Sequence, residues 1–299
     1  MSQLKLGMIG LDTSHCPAFA DLLHNEENPY YIPGSRITIA YPGGSANLAV
    51  SRDRVDRFTK EMQEKYGVAI APDIATVAEQ SDAIFLESVD GRQHLEQFQQ
   101  LAPFGKPVFI DKPLTTSTKE ARAIFDLAAK YNTPVCSASS VQFATGLLDL
   151  AEGKKVLNCT AFGPMGILDD FPAYFWYGIH SAEVLFAKMG VGCKQVSVTY
   201  TDDADLVTGV WEDGRMGSLF GVRYKGLRSF GATVFTEDGT QHVVAGLEPP
   251  YYANMLPRVL DFFRTGRPIV DQALSLETIA FLEAGILARE SGKVVKLAL

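Results

Sequence analysis

The sequence predicts two domains: an α/β domain with a doubly wound parallel sheet, followed by an α+β domain with a mainly antiparallel open sheet. Two observations predict them. Up to residue 140, short apolar runs alternate with helical stretches, which is the pattern of βαβ units. Beyond it, strand-like runs follow one another across turns such as Glu-Asp-Gly at 212–214 and 237–239, as in antiparallel hairpins. A chain of 299 residues is long enough for both, so we assign residues 1–140 and 141–299 to the two domains.

Strands and helices alternate throughout the first domain. The predicted strands are Leu4 to Ile9, Arg36 to Tyr41, Ala83 to Glu87, Pro107 to Ile110 and Pro134 to Ser139. The predicted helices are Pro17 to Asn25, Ser51 to Tyr66, Gln93 to Ala102 and Thr118 to Tyr131. Right-handed crossovers between such strands give a doubly wound sheet, which binds ligands at the carboxyl ends of its strands. The residues that follow each strand are therefore the candidates for function.

The second domain is richer in strands, with helices near its start and end. The predicted strands are Val156 to Ala161, Gln195 to Thr201, Leu206 to Glu212, Met216 to Val222 and Ala232 to Glu237. The predicted helices are Ile179 to Lys188, Asn254 to Thr265 and Ser275 to Glu290. We expect the helices to cover one face of the sheet.

Composition and charge exclude several classes of function. A net charge of −8 and a pI of about 5.2 disfavour binding to nucleic acid or to an anionic membrane, which needs concentrated Lys and Arg. The four cysteines form no Cys-x-x-Cys pair, so we predict free thiols, a reducing compartment and no metal site. With neither a signal peptide nor an apolar run of membrane-spanning length, we expect a cytoplasmic protein.

The turn after the first strand lies where a Rossmann-type dinucleotide fold has its Gly-x-Gly-x-x-Gly fingerprint. Gly10 occupies the first glycine position, but Asp12 and His15 occupy the second and third. The backbone amides of Thr13, Ser14 and His15 are positioned to bind a phosphate at the helix N-terminus. The alternative is an ordinary strand-to-helix turn capped by the side chain of Asp12, Thr13 or Ser14.

The loops after the second and third strands contain weaker candidates for cofactor binding. The acidic residue that NAD sites usually have after the second strand is missing here. Ser45, with Arg52 or Arg54, is instead able to hold the 2′-phosphate of NADP. The alternative is a surface loop whose arginines are solvated. Ser88 and Val89 are expected to lie over a cofactor. We interpret His94, on the next predicted helix, as structural.

Two further segments carry candidate catalytic groups. Asp111 and Lys112 directly follow the fourth strand, and a proline after them fixes the turn. A partly desolvated lysine there can donate to a substrate oxygen or relay a proton, whereas the alternative is a salt-bridged turn. An aromatic segment, 174–177, leads into His180, which can take a hydroxyl proton as hydride leaves; the alternative is an aromatic core with a hydrogen-bonded histidine.

These segments together resemble the Gfo/Idh/MocA family of oxidoreductases across nearly the whole chain. The run Gly105 to Leu114 is similar to the family's Gly-Lys-x-Val-x-x-Glu-Lys-Pro-Leu block, with Asp111 in place of glutamate. Gly178 to His180 resembles the end of its Asp-x-Gly-x-His segment, and Phe262 to Pro268 resembles its C-terminal helix and turn.

The resemblance implies hydride transfer between NAD or NADP and a hydroxyl carbon of a sugar, a sugar derivative or a cyclitol. It implies that His180 is the acid/base and that Lys112 polarises the reacting oxygen. It further implies a homodimer or homotetramer built through the open face of the second sheet. Trp176 replaces the family's aspartate, a loss for which Asp169 or Asp170 is the candidate substitute. The altered glycine fingerprint is the second departure.

The site assignments that follow are of two kinds. The cofactor contacts are Gly10, Asp12, Thr13, Ser14, His15, Ser45, Ser88, Val89, Asp111 and Lys112, and the substrate contacts are Tyr174, Trp176, Tyr177 and Asp170. Two other classes of function stay open: a non-catalytic or regulatory ligand-binding protein on this scaffold, and a lyase or epimerase with a tightly bound nucleotide.

Overall fold

A computed structural model of the protein describes residues 3–226 and 228–299. The chain divides into two compact units. Among the described residues, the first comprises 3–115, 119–138 and 252–270, and the second comprises 116–118, 139–226, 228–251 and 271–299.

The first unit contains a six-stranded, wholly parallel sheet. Its strands are β1 (Leu4–Ile9), β2 (Ser35–Tyr41), β3 (Ala69–Ile70), β4 (Ala83–Leu86), β5 (Val108–Ile110) and β6 (Val135–Ser137). They lie in the order β3-β2-β1-β4-β5-β6. The predicted doubly wound sheet is confirmed, and its direction of winding reverses between β1 and β4, where such sheets bind ligands.

Helices connect the strands of this sheet. They are α1 (His15–His24), α2 (Ala49–Arg52), α3 (Val55–Tyr66), α4 (Ile74–Gln80), α5 (His94–Leu101) and α6 (Thr118–Tyr131). The helix predicted over 51–66 is two helices, and α4 was not predicted. Gly67 ends α3 with a positive φ of 67°, a backbone conformation that glycine adopts without steric cost.

The second unit contains a seven-stranded mixed sheet. Its strands are β7 (Val156–Pro164), β8 (Cys193–Tyr200), β9 (Ala204–Trp211), β10 (Met216–Val222), β11 (Gly231–Thr236), β12 (Gly239–Val244) and β13 (Val295–Lys296). They lie in the order β12-β11-β7-β10-β9-β8-β13. The β7–β10 pair is parallel and the other pairs are antiparallel, which confirms a mainly antiparallel sheet.

Three longer helices belong to the second half of the chain: α7 (Gly178–Met189), α8 (Tyr251–Thr265) and α9 (Gln272–Ser291). Of these, α7 and α9 pack on the second sheet, where Phe186 of α7 meets Phe281 of α9 with ring centroids 5.4 Å apart. Alternate residues of the strands, such as Val207 and Leu219, point into this core and are fully buried. No helix in the described part of the chain has the length and apolarity that crossing a bilayer requires.

The helix α8 belongs to the first unit, although in the chain it follows β12 of the second. Phe263 lies edge-on to Phe85 of β4, with ring centroids 5.0 Å apart, and Tyr252 meets Phe19 of α1 at 5.2 Å. The domain division therefore differs from the predicted 1–140 and 141–299 chiefly in residues 252–270, and also in residues 116–118 and 139–140. The apolar face of α8 finds its partners among aromatic side chains of the first sheet and α1.

Candidate functional site

At the first glycine position of the fingerprint, in the turn after β1, there is no room for a side chain. Gly10 has a φ of 87°, and a Cβ atom there would lie 2.4 Å from the backbone nitrogen of Ser88. Only glycine fits, because a side chain would clash with backbone that follows β4. The carboxyl ends of β1 and β4 thus meet closely at the point where the winding of the sheet reverses.

Asp12, at the second glycine position, faces the protein interior. It is fully buried, and its carboxylate accepts hydrogen bonds from the Ser51 hydroxyl at 2.6 Å and from the Val89 amide at 3.0 Å. Burial raises the pKa of Asp12, while these two hydrogen bonds act in the opposite direction. Because its oxygens bind within the fold, Asp12 ties three loops together. Ser14, by contrast, is exposed at the start of α1.

The loop after β2 is bound to the loop after β4 through a carboxylate. The Ser45 hydroxyl donates to Asp90 at 2.7 Å, and the Arg92 guanidinium also contacts Asp90. Burial acts to raise the pKa of Asp90, but the hydrogen bonds from Arg92 and Ser45 hold it below its usual value. Arg52 donates to the carbonyl of Ala46. An ionised carboxylate, which the sequence did not lead us to expect, therefore lies beside Ser45.

His94 links the loop after β4 to the turn that follows Lys112. It is fully buried; its Nδ1 lies 3.0 Å from the carbonyl oxygens of Pro113 and Leu114, and its Nε2 lies 2.8 Å from that of Ser88. This geometry agrees with the structural role predicted for it. The Lys112–Pro113 bond is cis, and Lys112 itself is only 8% exposed.

Three polar side chains meet at the carboxyl ends of β1, β4 and β5. His15 Nδ1 lies 2.9 Å from Asp111 Oδ2 and 3.7 Å from Glu87 Oε2. Glu87 is fully buried and Asp111 nearly so. We refer to these three residues as the His15 cluster. The sequence pointed to His15 and Asp111 by position, but it did not show that they meet or that Glu87 joins them.

The charged groups of the His15 cluster shift one another's pKa values strongly. Burial acts to lower the pKa of His15, but the charge of Asp111 and the contacts with Asp111 and Glu87 together outweigh it and raise the pKa to about 9. Burial, with the nearby charge of Asp111, raises the pKa of Glu87 to about 7. Burial acts to raise the pKa of Asp111 as well, yet the charge of His15 lowers it. Lys112 adds positive charge near all three groups.

In the second unit, His180 lies near the start of α7 and is held from one side by a serine. Its Nδ1 is 2.6 Å from the hydroxyl oxygen of Ser139, which also accepts a hydrogen bond from the Val141 amide. The amide of Ser139 in turn donates to Glu183 at 2.6 Å. The rings of Tyr177 and Phe230 pack edge-on against the imidazole. Ser139 and Glu183 were not predicted as site residues.

The predicted substrate residues fall into two groups. Tyr174 is fully buried, and its hydroxyl donates to Asp205 at 2.7 Å, so its ring and its polar atom both lie in the core. Tyr177 and Asp170 are exposed, and Trp176 is partly so. The rings of Trp176 and Tyr177 lie 6.0 Å apart and tilted, and they form an aromatic surface beside His180.

Solved structures of similar fold match this chain over nearly its whole length. GenD2 from gentamicin A biosynthesis, solved with NAD, is 14% identical with a TM-score of 0.82; the match covers 100% of this chain and 97% of GenD2. Myo-inositol dehydrogenase from Lactobacillus casei, solved with NAD(H) and myo-inositol, is 15% identical with a TM-score of 0.77, over 99% and 97% of the two chains. The WlbA dehydrogenase from Bordetella pertussis, solved with NADH and UDP-GlcNAcA, is 15% identical with a TM-score of 0.74, over 99% of each.

Comparison with curated protein sequences finds no match, and the solved structures are too distant in sequence to show more than the fold. A family model is more informative. The Gfo/Idh/MocA model, described as an oxidoreductase family with an NAD-binding Rossmann fold, matches residues 6–139. Gly10 permits the tight turn that such a fold needs, and the Asp12 carboxylate is turned inward. Residues 6–139 thus match the NAD-binding Rossmann domain of the Gfo/Idh/MocA family of oxidoreductases.

Proposed function

We propose that the protein is an NAD-dependent dehydrogenase or reductase acting on a hydroxyl carbon of a sugar, a sugar derivative or a cyclitol. The observation that carries the proposal is Lys112, a buried ammonium group at the carboxyl end of β5, within the family's Lys-Pro-Leu motif. The substrates named for structures of the same fold, myo-inositol and UDP-GlcNAcA, support the substrate class.

The residues that would hold the dinucleotide are backbone and small polar groups at the switch point. Gly10, Thr13 and Ser14 would face the pyrophosphate, and Ser88 and Val89 would line the path beyond it. When bound, NAD accepts or supplies a hydride. We propose NAD rather than NADP, because the ionised carboxylate of Asp90 beside Ser45 disfavours a 2′-phosphate there.

The catalytic pair in this proposal is Lys112 and His180. The ammonium group of Lys112 polarises the substrate oxygen and stabilises the negative charge that grows on it when its proton leaves. His180 exchanges that proton through Nε2, since the contact with Ser139 orients the ring from Nδ1. Trp176 and Tyr177 provide a stacking surface for a sugar ring, with Asp170 as a polar contact. Tyr174 is left out because it lies in the core.

The cellular setting and the assembly are part of the same proposal. The four cysteines are unpaired and buried, which supports a reducing compartment, the cytoplasm. We propose a homodimer or homotetramer formed through the outer face of the second sheet, where Leu206, Met216 and Phe220 are exposed. The acidic chain favours a small-molecule partner over nucleic acid.

Cofactor titration followed by a sugar and cyclitol panel tests the proposal. We expect saturable enhancement of nicotinamide fluorescence, with NADH binding at least about tenfold more tightly than NADPH, a difference of about 1.4 kcal/mol. Lys112→Ala is expected to reduce turnover by at least about 100-fold, the lower end for loss of a positioned acid–base group, with NADH affinity nearly unchanged. Lys119→Ala, at an exposed position of α6, is the matched control.

The outcomes separate the alternatives. Binding of neither dinucleotide would favour the non-catalytic ligand-binding protein. Tight binding without net oxidation or reduction of any substrate, accompanied by lyase or epimerase turnover, would favour an enzyme that recycles the hydride. Full turnover of the Lys112→Ala protein would show that the catalytic ammonium group has been misassigned.

A further inference from the structure

We propose that His15, Glu87 and Asp111 bind one divalent transition-metal ion, for which Zn²⁺ is the best match. The site is distinct from the catalytic pair, and its test needs neither NAD nor a sugar. Each ligand residue stands next to the end of a different strand: His15 begins α1 after β1, Glu87 follows β4, and Asp111 follows β5. The parallel sheet therefore brings together residues that are 72 and 24 positions apart, by their numbers in the chain.

The spacing of the ligand atoms is compatible with one shared ion. One nitrogen or oxygen atom from each residue lies within 4.8 Å of the other two. His15 Nδ1 is 2.9 Å from Asp111 Oδ2 and 3.7 Å from Glu87 Oε2. Two ligands that bind one Zn²⁺ at about 2.0–2.2 Å lie roughly 3–3.6 Å apart, so small side-chain adjustments suffice.

Unsatisfied buried atoms are the second, independent observation. Within the described residues, both carboxylate oxygens of Glu87 are buried without a hydrogen-bond partner. Asp111 Oδ2 and His15 Nδ1 form an ion pair with each other at 2.9 Å, so the Glu87 oxygens are the ones left without a close partner. A fully buried carboxylate that accepts no hydrogen bond is costly, and a bound cation supplies what its oxygens lack.

The donor set indicates which ion fits. Two carboxylates supply oxygen ligands and His15 supplies a nitrogen ligand, and the ion replaces the proton that His15 otherwise holds, since a metal binds only the neutral imidazole. Imidazole favours Zn²⁺ and its neighbours over Ca²⁺ and Mg²⁺, which prefer oxygen ligands alone. Three protein ligands leave one position of a tetrahedral ion for water or another ligand. The His15 side chain is 12% exposed, whereas Glu87 is not exposed at all, so His15 lies on the route of entry.

Metal titration of the chelator-treated, full-length protein tests the proposal. Zn²⁺ is added in isothermal titration calorimetry, and Co²⁺ is added while its visible absorption bands report coordination. We expect one ion per chain. Glu87→Gln, which keeps the shape of the side chain, and His15→Asn are each expected to weaken binding by at least about 100-fold, the upper end of the loss caused by removing an outer-shell partner.

A matched control removes a different imidazole. His242 is exposed on β12, so His242→Asn is expected to leave the stoichiometry and affinity unchanged. Zn²⁺ is also expected to raise the melting temperature of the wild-type protein and of His242→Asn, but not that of Glu87→Gln, because only an ion bound to the folded state stabilises it.

Two results would overturn the proposal. One is the absence of Zn²⁺ and Co²⁺ binding to the wild-type protein; the protonated imidazole of His15 and the nearby charge of Lys112 would then balance the carboxylates. The other is binding that both cluster variants retain, which would locate the ion elsewhere. If the variants do not fold, anomalous diffraction from wild-type crystals soaked in Zn²⁺ decides: a peak bonded to the three side chains supports the site, and its absence refutes it.

Discussion

At the scale of a single residue, Ser139 gives the ring of His180 an oriented hydrogen-bond partner. Trp176 stands where the resemblance implies an aspartate, and it has no carboxylate with which to hold the ring. The Ser139 hydroxyl lies 2.6 Å from His180 Nδ1, and Glu183 fixes the Ser139 backbone. A ring held at one nitrogen presents the other in a constant direction, which proton transfer requires. Ser139 is therefore a positioning residue in the proposed mechanism.

Ser139→Ala tests this role. We expect kcat to fall by about 10–100-fold with little change in KM, because the loss affects proton transfer more than substrate binding. Ser139→Thr retains the hydroxyl and is expected to restore most of the lost rate. A purely structural role would instead lower the thermal stability and leave the pH profile of the remaining activity unchanged, so both quantities are measured. Equal rates for the alanine variant and the wild-type protein would rule out positioning.

The sequence predicts those site residues that belong to a motif or directly follow a strand. It does not predict the residues whose place in the site depends only on contacts in the folded chain. Gly10 and Lys112 follow predicted strands, so their location at the carboxyl edge of the sheet was predictable. Glu87 was assigned to the strand itself, because nothing in one sequence distinguishes a buried carboxylate from a solvated one. The meeting of His15 with Asp111 joins residues that are far apart in the chain, and it became visible only in the fold.

At the scale of elements, His24 joins the ends of two helices to a strand. Its Nδ1 donates to the Tyr66 carbonyl at the end of α3, at 3.3 Å. Its Nε2 accepts from the amide of Ile37 in β2, at 3.0 Å. Both bonds need the neutral ring with its hydrogen on Nδ1, because a second proton would displace the Ile37 donor. Burial, aided by the charge of Arg36, lowers the pKa of His24 to about 4.

This pKa predicts a loss of stability in mild acid. The folded state holds His24 neutral, whereas the unfolded chain takes up a proton below the ordinary pKa of 6.5. The free energy of unfolding should therefore fall as the pH drops from 6.5 to about 4, by at most about 3 kcal/mol from this group. Urea denaturation at a series of pH values measures this change in the free energy of unfolding. The slope of the free energy of unfolding against pH should be smaller in His24→Asn than in the wild-type protein. Equal slopes in the two proteins would show that other groups cause the pH dependence.

Element prediction succeeded where periodicity was strong and failed for short or divided segments. β10 was predicted with its observed bounds, Met216–Val222, since its alternating pattern lies between clear turns. β12 was missed because its side chains are largely polar or exposed, so it lacks an apolar alternation. α4 has seven residues, too few for a helical period to emerge. β13 has two residues and depends wholly on its pairing with β8.

At the scale of the molecule, the second sheet has one face covered by helices and one face that is open. Cross-strand neighbours make the open face apolar: Phe220 pairs with Leu206 on one side and with Phe162 on the other. Met216 and Phe235 both lie opposite Asn158. Phe220 is 40% exposed and Met216 is 48% exposed. An apolar surface spread over four strands is the kind that a second copy of the chain covers.

Phe220→Glu tests the proposed assembly. A charge at the centre of this face should dissociate the oligomer, since a stable interface does not bury an unpaired carboxylate. Light scattering coupled to size-exclusion chromatography should give the mass of a monomer for the variant and a multiple of it for the wild-type protein. Leu287→Glu, at an exposed position of α9, should leave the mass unchanged. A monomeric wild-type protein would contradict the proposed assembly.

The return of residues 252–270 to the first unit has a consequence for biosynthesis. When the ribosome has released the last strand of the parallel sheet, α8 has not yet been translated, and Phe85 and Phe19 lack Phe263 and Tyr252. The nascent chain must carry that uncovered aromatic surface until the whole hairpin-rich segment has left the exit tunnel. The domain that begins the polypeptide is thus among the last parts to mature, and a stop codon before residue 252 would leave both halves unfinished.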